Sequence, residues 1–194
     1  MEGTLTLSRV ADIMDTDLQG HGARTAHLAT RIGREMGLDA ETLRRLHLGA
    51  VLHDVGKIGV DQELLLLPRS LTLDERSEVE RHPLVGFELL KDLVHIDIAD
   101  TVLHHHERID GLGYPNRLSG EDIPLLARIV SVADAADAIV SERVYKPAWS
   151  WNIAMRELWI HAGSQFDSAI VSVATTILAE RIDMGSIELD AIVA

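Results

Sequence analysis

Apolar residues recur three and four positions apart along most of this chain, the spacing of one face of a helix. Leu5, Val10, Ile13 and Met14 suggest a short first helix, although Leu7 blurs the period. Leu28, Ile32 and Met36 share one face of a second, stopped near Gly37. Asp39 is placed to cap a third, which carries Leu43, Leu46, Ala50 and Val51 and ends at His53-Asp54. Thr72-Leu73-Asp74-Glu75 has the form of a capping box and predicts a helix running toward His82. Pro83 suits the first turn of the next segment, through Phe87 and Leu90. Residues 97–106 read as another helix, 110–124 as loop, and 125–139 as a helix that carries Asp134 and Asp137. Ser150 is positioned to cap a helix to about residue 161, and Ser168 another to about residue 180. The stretch from Asp183 carries no signal. Nothing alternates convincingly as a strand does, and no repeat or linker is visible, so the pattern predicts a compact, nearly all-α protein.

Composition sharpens this. At 194 residues the chain is most simply one domain with a real core. Hydrophobic residues make up 46% but aromatics only 4%, so Leu, Ile, Val and Ala must fill that core, which suits helix packing. The net charge, 18 − 31 = −13, repels nucleic acid polymers but not a small anion held by bound metals. The longest apolar run, near residues 123–132, is broken by Arg128, so no membrane span is expected. The first residues lack the basic-then-apolar pattern of a signal peptide, and cysteine is absent; both fit a cytoplasmic location.

The chemistry is concentrated. His105-His106-Glu107-Arg108-Ile109-Asp110-Gly111-Leu112-Gly113-Tyr114-Pro115 sets adjacent imidazoles before a glycine-rich turn that cannot continue a helix. His53-Asp54-Val55-Gly56-Lys57 follows an imidazole and a carboxylate with a cation. A two-metal hydrolase needs several neutral imidazoles and a carboxylate able to bridge. His21, His53, Asp54, His82, His105, His106 and Asp134 offer that set, at or within predicted helices. Taken singly, His21 between two glycines also suits a loop, His82 a helix terminus, and His104 to His106 a solvated polar face. Asp134 is harder to explain otherwise, because a carboxylate amid Val132, Ala133, Ala135 and Ala136 is expensive to bury unpaired.

Together and in this order, the two motifs resemble the HD-GYP family, metal-dependent phosphodiesterases of cyclic di-GMP. The resemblance covers about residues 15–170. It implies an all-α, compact multi-helix HD-superfamily domain with a central metal site, one domain over residues 1–194. It implies that His21, His53, Asp54 and Asp134 hold one metal, and that Asp54 bridges to a second held by His82, His105 and His106. Lys57 is then placed to steady a phosphoryl or departing oxygen, with Asp54 as its catalytic companion. Tyr114 suits contact with phosphate or base, and its loop serves in the family as a docking surface for diguanylate cyclase domains. Arg143 and Lys146 match the positions that contact the dinucleotide. Glu107 and Asp137 are expected to orient ligand histidines. Residues 162–167 match a further family segment with an expected packing role, while His27, His47, His95, His104 and His161 fall outside the pattern. Asp17 stands where some relatives hold a third metal; with Gly20 and Gly22 nearby and one methylene fewer than Glu, it suits capping as well, and two metals are expected.

Two departures stand out. Leu67-Pro68-Arg69-Ser70 replaces a stretch that usually holds Lys-Pro-Gly, and Val144 replaces a proline between arginine and tyrosine. No sensor or receiver segment precedes the match, so regulatory input is expected from such a domain outside this sequence or from a partner. The leading expectation is hydrolysis of cyclic di-GMP to linear pGpG, with GMP as a further product. The alternatives are a phosphohydrolase of another cyclic dinucleotide or phosphoester, or a non-catalytic module that docks a cyclase domain through the Tyr114 loop. With no thiolate to close a structural zinc site, iron or manganese is the expected metal.

Overall fold

The computed structural model describes residues 20–141 and 149–193. The expected first helix, Asp17, Arg143, Val144 and Lys146 lie outside the described residues. The described chain is helical: α1 (His21–Glu35), α2 (Ala40–Leu52), a 3₁₀ turn (Val55–Gly59), α3 (Gln62–Leu65), α4 (Leu73–Val79), α5 (His82–Leu90), α6 (Ile96–His104), a second 3₁₀ turn (Gly120–Asp122), α7 (Leu125–Val140), α8 (Trp151–Ile160) and α9 (Ser168–Val193). No strand occurs among the described residues; one isolated bridge joins Ala162 and Phe166.

Local chemistry sets most of these boundaries. The Asp39 carboxylate accepts the Glu41 and Thr42 amides at 2.8 and 3.0 Å and starts α2. Thr72 and Glu75 form the reciprocal box that starts α4, and Arg69 grips both Glu75 oxygens at 2.7 Å. The departure at residues 67–70 thus supplies an arginine that braces the next helix.

Five expectations need correction. α4 stops at Val79 and α6 at His104, each short of the predicted end. Ser150 occupies the N-cap of α8 but its side chain makes no capping bond; its carbonyl accepts the Ile153 and Ala154 amides instead. Asp167, not Ser168, accepts the Ala169 amide at 2.9 Å and so opens α9. That helix continues to Val193, through the stretch that carried no signal.

Two apolar clusters hold the helices. The larger packs Ile32, Leu46, Ile129, Leu158, Ile170 and Leu178 from α1, α2, α7, α8 and α9. The smaller packs Leu52, Val55, Leu90, Ile98 and Val102 around α5 and α6. Helix α2 belongs to both, with Leu46 and Ala50 in one and Leu52 in the other. The residue that follows Leu52 is His53, so the histidine–aspartate pair emerges where the clusters meet.

Candidate metal centre

Helix ends deliver nearly every candidate ligand. His21 is the first residue of α1, His82 the first of α5, and His53 directly follows α2. Because α6 stops at His104, the next two residues are free to turn, and the His105 and His106 rings lie side by side with centroids 4.0 Å apart. Asp134 alone comes from mid-helix, in α7. Gly56 allows the assembly: a Cβ there would sit 1.9 Å from the His82 carbonyl oxygen and 2.5 Å from the Gly86 amide. Only a glycine lets the turn after Asp54 press against the start of α5.

The hydrogen bonds define the tautomers. The Nδ1 atoms of His53, His82 and His105 each lie 2.8 Å from a backbone carbonyl three residues earlier, those of Ala50, Val79 and Val102. A carbonyl only accepts, so each Nδ1 donates and each Nε2 is left with its lone pair. Those Nε2 atoms converge on carboxylate oxygens. Asp54 Oδ2 is 3.3 Å from His53 Nε2, while Asp54 Oδ1 is 3.3 Å from His82 Nε2 and 4.0 Å from His105 Nε2. His82 and His105 bring their Nε2 atoms within 3.4 Å of each other. Asp134 Oδ1 lies 3.1 Å from His21 Nε2 and 3.8 Å from His53 Nε2. His53 Nε2 is fully buried and has no hydrogen-bond partner.

Lone pairs that face lone pairs in a buried site repel unless a positive charge lies between them. Two groups could hold such a charge: His21, His53 and Asp54, and Asp54, His82, His105 and His106, with the donor atoms of each within 4.8 Å of one another. The donor set is all imidazole and carboxylate, which fits divalent first-row metals. The residues present therefore fit metal ions.

The electrostatics agree. Burial works against ionisation of Asp54, but Lys57 and His53 outweigh it and hold the carboxyl well below the usual range. The Lys57 ammonium donates to Asp54 Oδ2 at 2.8 Å. Asp134 is likewise held low, its burial outweighed by His21 and His53. Burial and the neighbouring imidazoles push His105 well down, and burial with His82 pushes His106 down to about 3. Both are neutral bases at pH 7. His21 differs: burial opposes its charge, but Asp134 and Asp137 together raise it to about 10. Its Nδ1 meets Asp137 Oδ2 at 2.7 Å, and Arg24 holds both Asp137 oxygens at 2.8 and 3.0 Å.

The Tyr114 loop closes one side. The Tyr114 and His106 ring centroids are 4.9 Å apart. The Tyr114 amide donates to the His106 carbonyl at 3.3 Å, and a Cβ on Gly113 would come within 2.5 Å of the Glu107 Cα and the Arg108 amide nitrogen. The loop lies on the turn at residues 162–167, where Ser164 and Gln165 carbonyls accept the Asp110 and Ile109 amides. That segment therefore positions the loop.

A family model described as an HD domain matches residues 6–170. The chain belongs to the HD domain family. It is 43% identical over 172 residues to a protein of Xanthomonas campestris pv. campestris called cyclic di-GMP phosphodiesterase response regulator RpfG, covering 86% of this chain and 46% of that one. It is 34% identical over 188 residues to a cyclic di-GMP phosphodiesterase of Thermotoga maritima, covering 95% of this chain and 51% of that one. Among solved structures, Bd1817 of Bdellovibrio bacteriovorus, described as an HDG"Y"P protein, superposes with a TM-score of 0.68 at 24% identity, over 82% of this chain and 51% of that one. The chain thus spans about half the length of the curated relatives named here. His53-Asp54 and Gly113-Tyr114-Pro115 make it an HD domain of the HD-GYP kind.

In this HD domain the structure brings together His21, His53, Asp54, His82, His105, His106 and Asp134, with Lys57 on Asp54 and Tyr114 beside His106. His104 is buried but turns away, its Nδ1 3.0 Å from the Asp100 carbonyl. His27, His47 and His95 are exposed and His161 is half-buried. Glu107 does not orient a ligand histidine. Its oxygens accept the Asn116 and Leu118 amides at 2.6 and 3.1 Å, so it ties the loop. Arg24 escaped the sequence reading; its position one turn after His21 was the available signal. No described helix is long and apolar enough to cross a membrane.

Proposed function

We propose that this HD domain is the catalytic part of a phosphodiesterase that hydrolyses cyclic di-GMP to linear pGpG. The observation that carries the reading is the orientation of Asp54. Its two oxygens address different groups, Oδ2 facing His53 and Oδ1 facing His82 and His105. That is the geometry of a bridging ligand. His21, His53 and Asp134 would complete one metal site, and His82, His105 and His106 the other. Bound there, two divalent ions would lower the pKa of a water and neutralise charge on the phosphoryl oxygens. Iron or manganese suits this thiolate-free donor set. The relatives named for cyclic di-GMP support the choice of substrate.

The chain's own groups have separate tasks. Backbone carbonyls fix the ligand tautomers before any cation arrives. Lys57, held at the edge of the cluster by Asp54, places a positive charge where a departing oxygen gains negative charge. Tyr114 forms a wall beside His106 against which a nucleotide can lie. Asp17, Arg143 and Lys146 remain candidates from sequence, for a third metal and for dinucleotide contacts. A cyclase, sensor or receiver domain is the proposed partner.

The test is direct. Protein purified without oxygen, analysed for metals and incubated with cyclic di-GMP, is expected to release pGpG with two metals per chain. Absence of turnover with iron, manganese and other divalent ions would overturn the reading. Competition by cyclic GMP-AMP would measure how far the site discriminates between dinucleotides.

A further inference from the structure

Beside the metal cluster lies a cavity of about 500 Å³ whose wall includes Tyr114, Arg76, Glu80 and Arg117. Tyr114 is shared: one side of it meets the His106 ring, so the cavity adjoins the candidate ligands. Arg117 has φ 58, the left-handed region that non-glycine residues seldom adopt. The cause is visible. Glu107 is buried, and its two oxygens bind the amides of Asn116 and Leu118, one on each side of Arg117. The clamp pins both neighbours and leaves Arg117 at the apex, exposed.

The charges in this cavity are unequal. Arg76 donates to Glu80 at 2.6 Å, and the two largely cancel. Arg117 makes no side-chain hydrogen bond or ion pair with any described residue, although the whole chain carries a net charge of −13. The backbone that carries this uncommitted guanidinium is thus held in a conformation that glycine would take without strain. Held this way, it faces a cavity beside a phosphodiesterase centre. A cyclic dinucleotide has two phosphodiesters. With one at the metal cluster, the other needs a counter-charge some distance away, and a guanidinium fork matches two phosphate oxygens.

We propose that Arg117 is a substrate-binding residue that holds the phosphodiester which is not being cut, with Glu107 as the positioning residue that sets its backbone. This rests on the phosphodiesterase reading above. The test compares wild type, R117G and R117K, each metal-loaded, on cyclic di-GMP and on bis(p-nitrophenyl) phosphate, which has no second phosphodiester. Glycine suits φ 58, so R117G should fold. Its KM for cyclic di-GMP should rise about tenfold or more with kcat within about twofold, the pattern of lost uniform binding. Its metal content and its activity on the small diester should not change. R117K keeps a point charge and should recover most of the loss. An active wild type with an unchanged KM in R117G overturns the inference alone. So does a parallel loss on the small diester, which marks a structural role. R117K as weak as R117G overturns the phosphate assignment. A wild type inert toward cyclic di-GMP overturns the function reading, and this inference with it.

Discussion

The two halves of the metal centre are built differently. In the half that holds His21 and His53, carboxylates position His21: Asp137 holds Nδ1, Arg24 holds Asp137, and Asp134 faces Nε2, while the Ala50 carbonyl holds His53. In the half around His82 and His105, backbone carbonyls do it, from Val79 and Val102. Carboxylates raise the proton affinity of an imidazole, whereas burial beside other imidazoles lowers it. So His21 is raised to about 10 and His106 lowered to about 3 within one cluster. The first half binds a proton tightly, and a cation there must displace it. The second half holds ready lone pairs. Asp54 and the Gly56 turn join the two, and the predictions probe that joint first and the contrast afterwards.

Removing the joint should have the largest effect. Asp54→Ala takes one ligand from each half at once. Activity is expected to fall by about 10³-fold or more, the scale for losing a principal stabiliser of developing charge. Circular dichroism should remain helical, since the Asp54 side chain makes no capping hydrogen bond to the 3₁₀ turn that it precedes. Retention of both metals by the variant would break the bridging reading. Gly56→Ala attacks the same joint through packing. A Cβ set 1.9 Å from a backbone oxygen must push the turn away from α5, so a loss of about 1–3 kcal/mol in denaturant unfolding is expected. Metal analysis should then show the His82 half disturbed with the His53 half, because the turn carries Asp54 between them.

A smaller effect separates the halves. Asp137→Asn keeps a hydrogen-bonding group on His21 but removes the charge. Loss of such a partner costs about 10–100-fold in metal affinity. One of the two metals should weaken and the other stay. Arg24→Ala acts one step further out, and its loss should be smaller still. Equal weakening of both metals in Asp137→Asn would show that the halves are not independent.

The sequence reading reached the ligands and missed what surrounds them, for a physical reason. Asp39 and Thr72 were legible as caps because their partners lie two or three residues away. The ligands were legible because the two motifs are short and ordered along the chain. Arg24 meets Asp137 across 113 positions, and nothing local announces it. The role that the resemblance implies for Glu107 fails because its real partners belong to a loop that returns nine and eleven residues later. Loop closure also sets Arg117, whose left-handed backbone follows from that clamp and not from its residue type. The early end of α6 belongs to the same class, since the turn at His105 and His106 is fixed by what the rings meet.

The smallest predicted effect is also the most specific to the contrast. Asp134 and Asp137 raise His21 to about 10 against the pull of burial, so at pH 7 the chelator-treated protein should keep a proton there. His105 and His106 are lowered and should hold none. Manganese binding at pH 7 should therefore release about one proton, measurable by calorimetry in buffers of different ionisation heat. His21→Ala should lower that number, and His106→Ala should leave it alone. The signs of the stability changes follow. His21's folded pKa lies above its ordinary 6.5, so its contribution is full below 6.5 and is lost as pH rises toward about 10. His106 is depressed to about 3, so it opposes folding as pH falls below 6.5, where the unfolded chain binds the proton first. The chelator-treated protein should thus lose stability on both sides of neutrality, the alkaline loss shrinking in His21→Ala. With metal bound, His21 has no proton to lose, and the alkaline limb should flatten. Metal uptake with no proton release at pH 7 would mean that the two halves meet a cation in the same protonation state, and the contrast between them would fail.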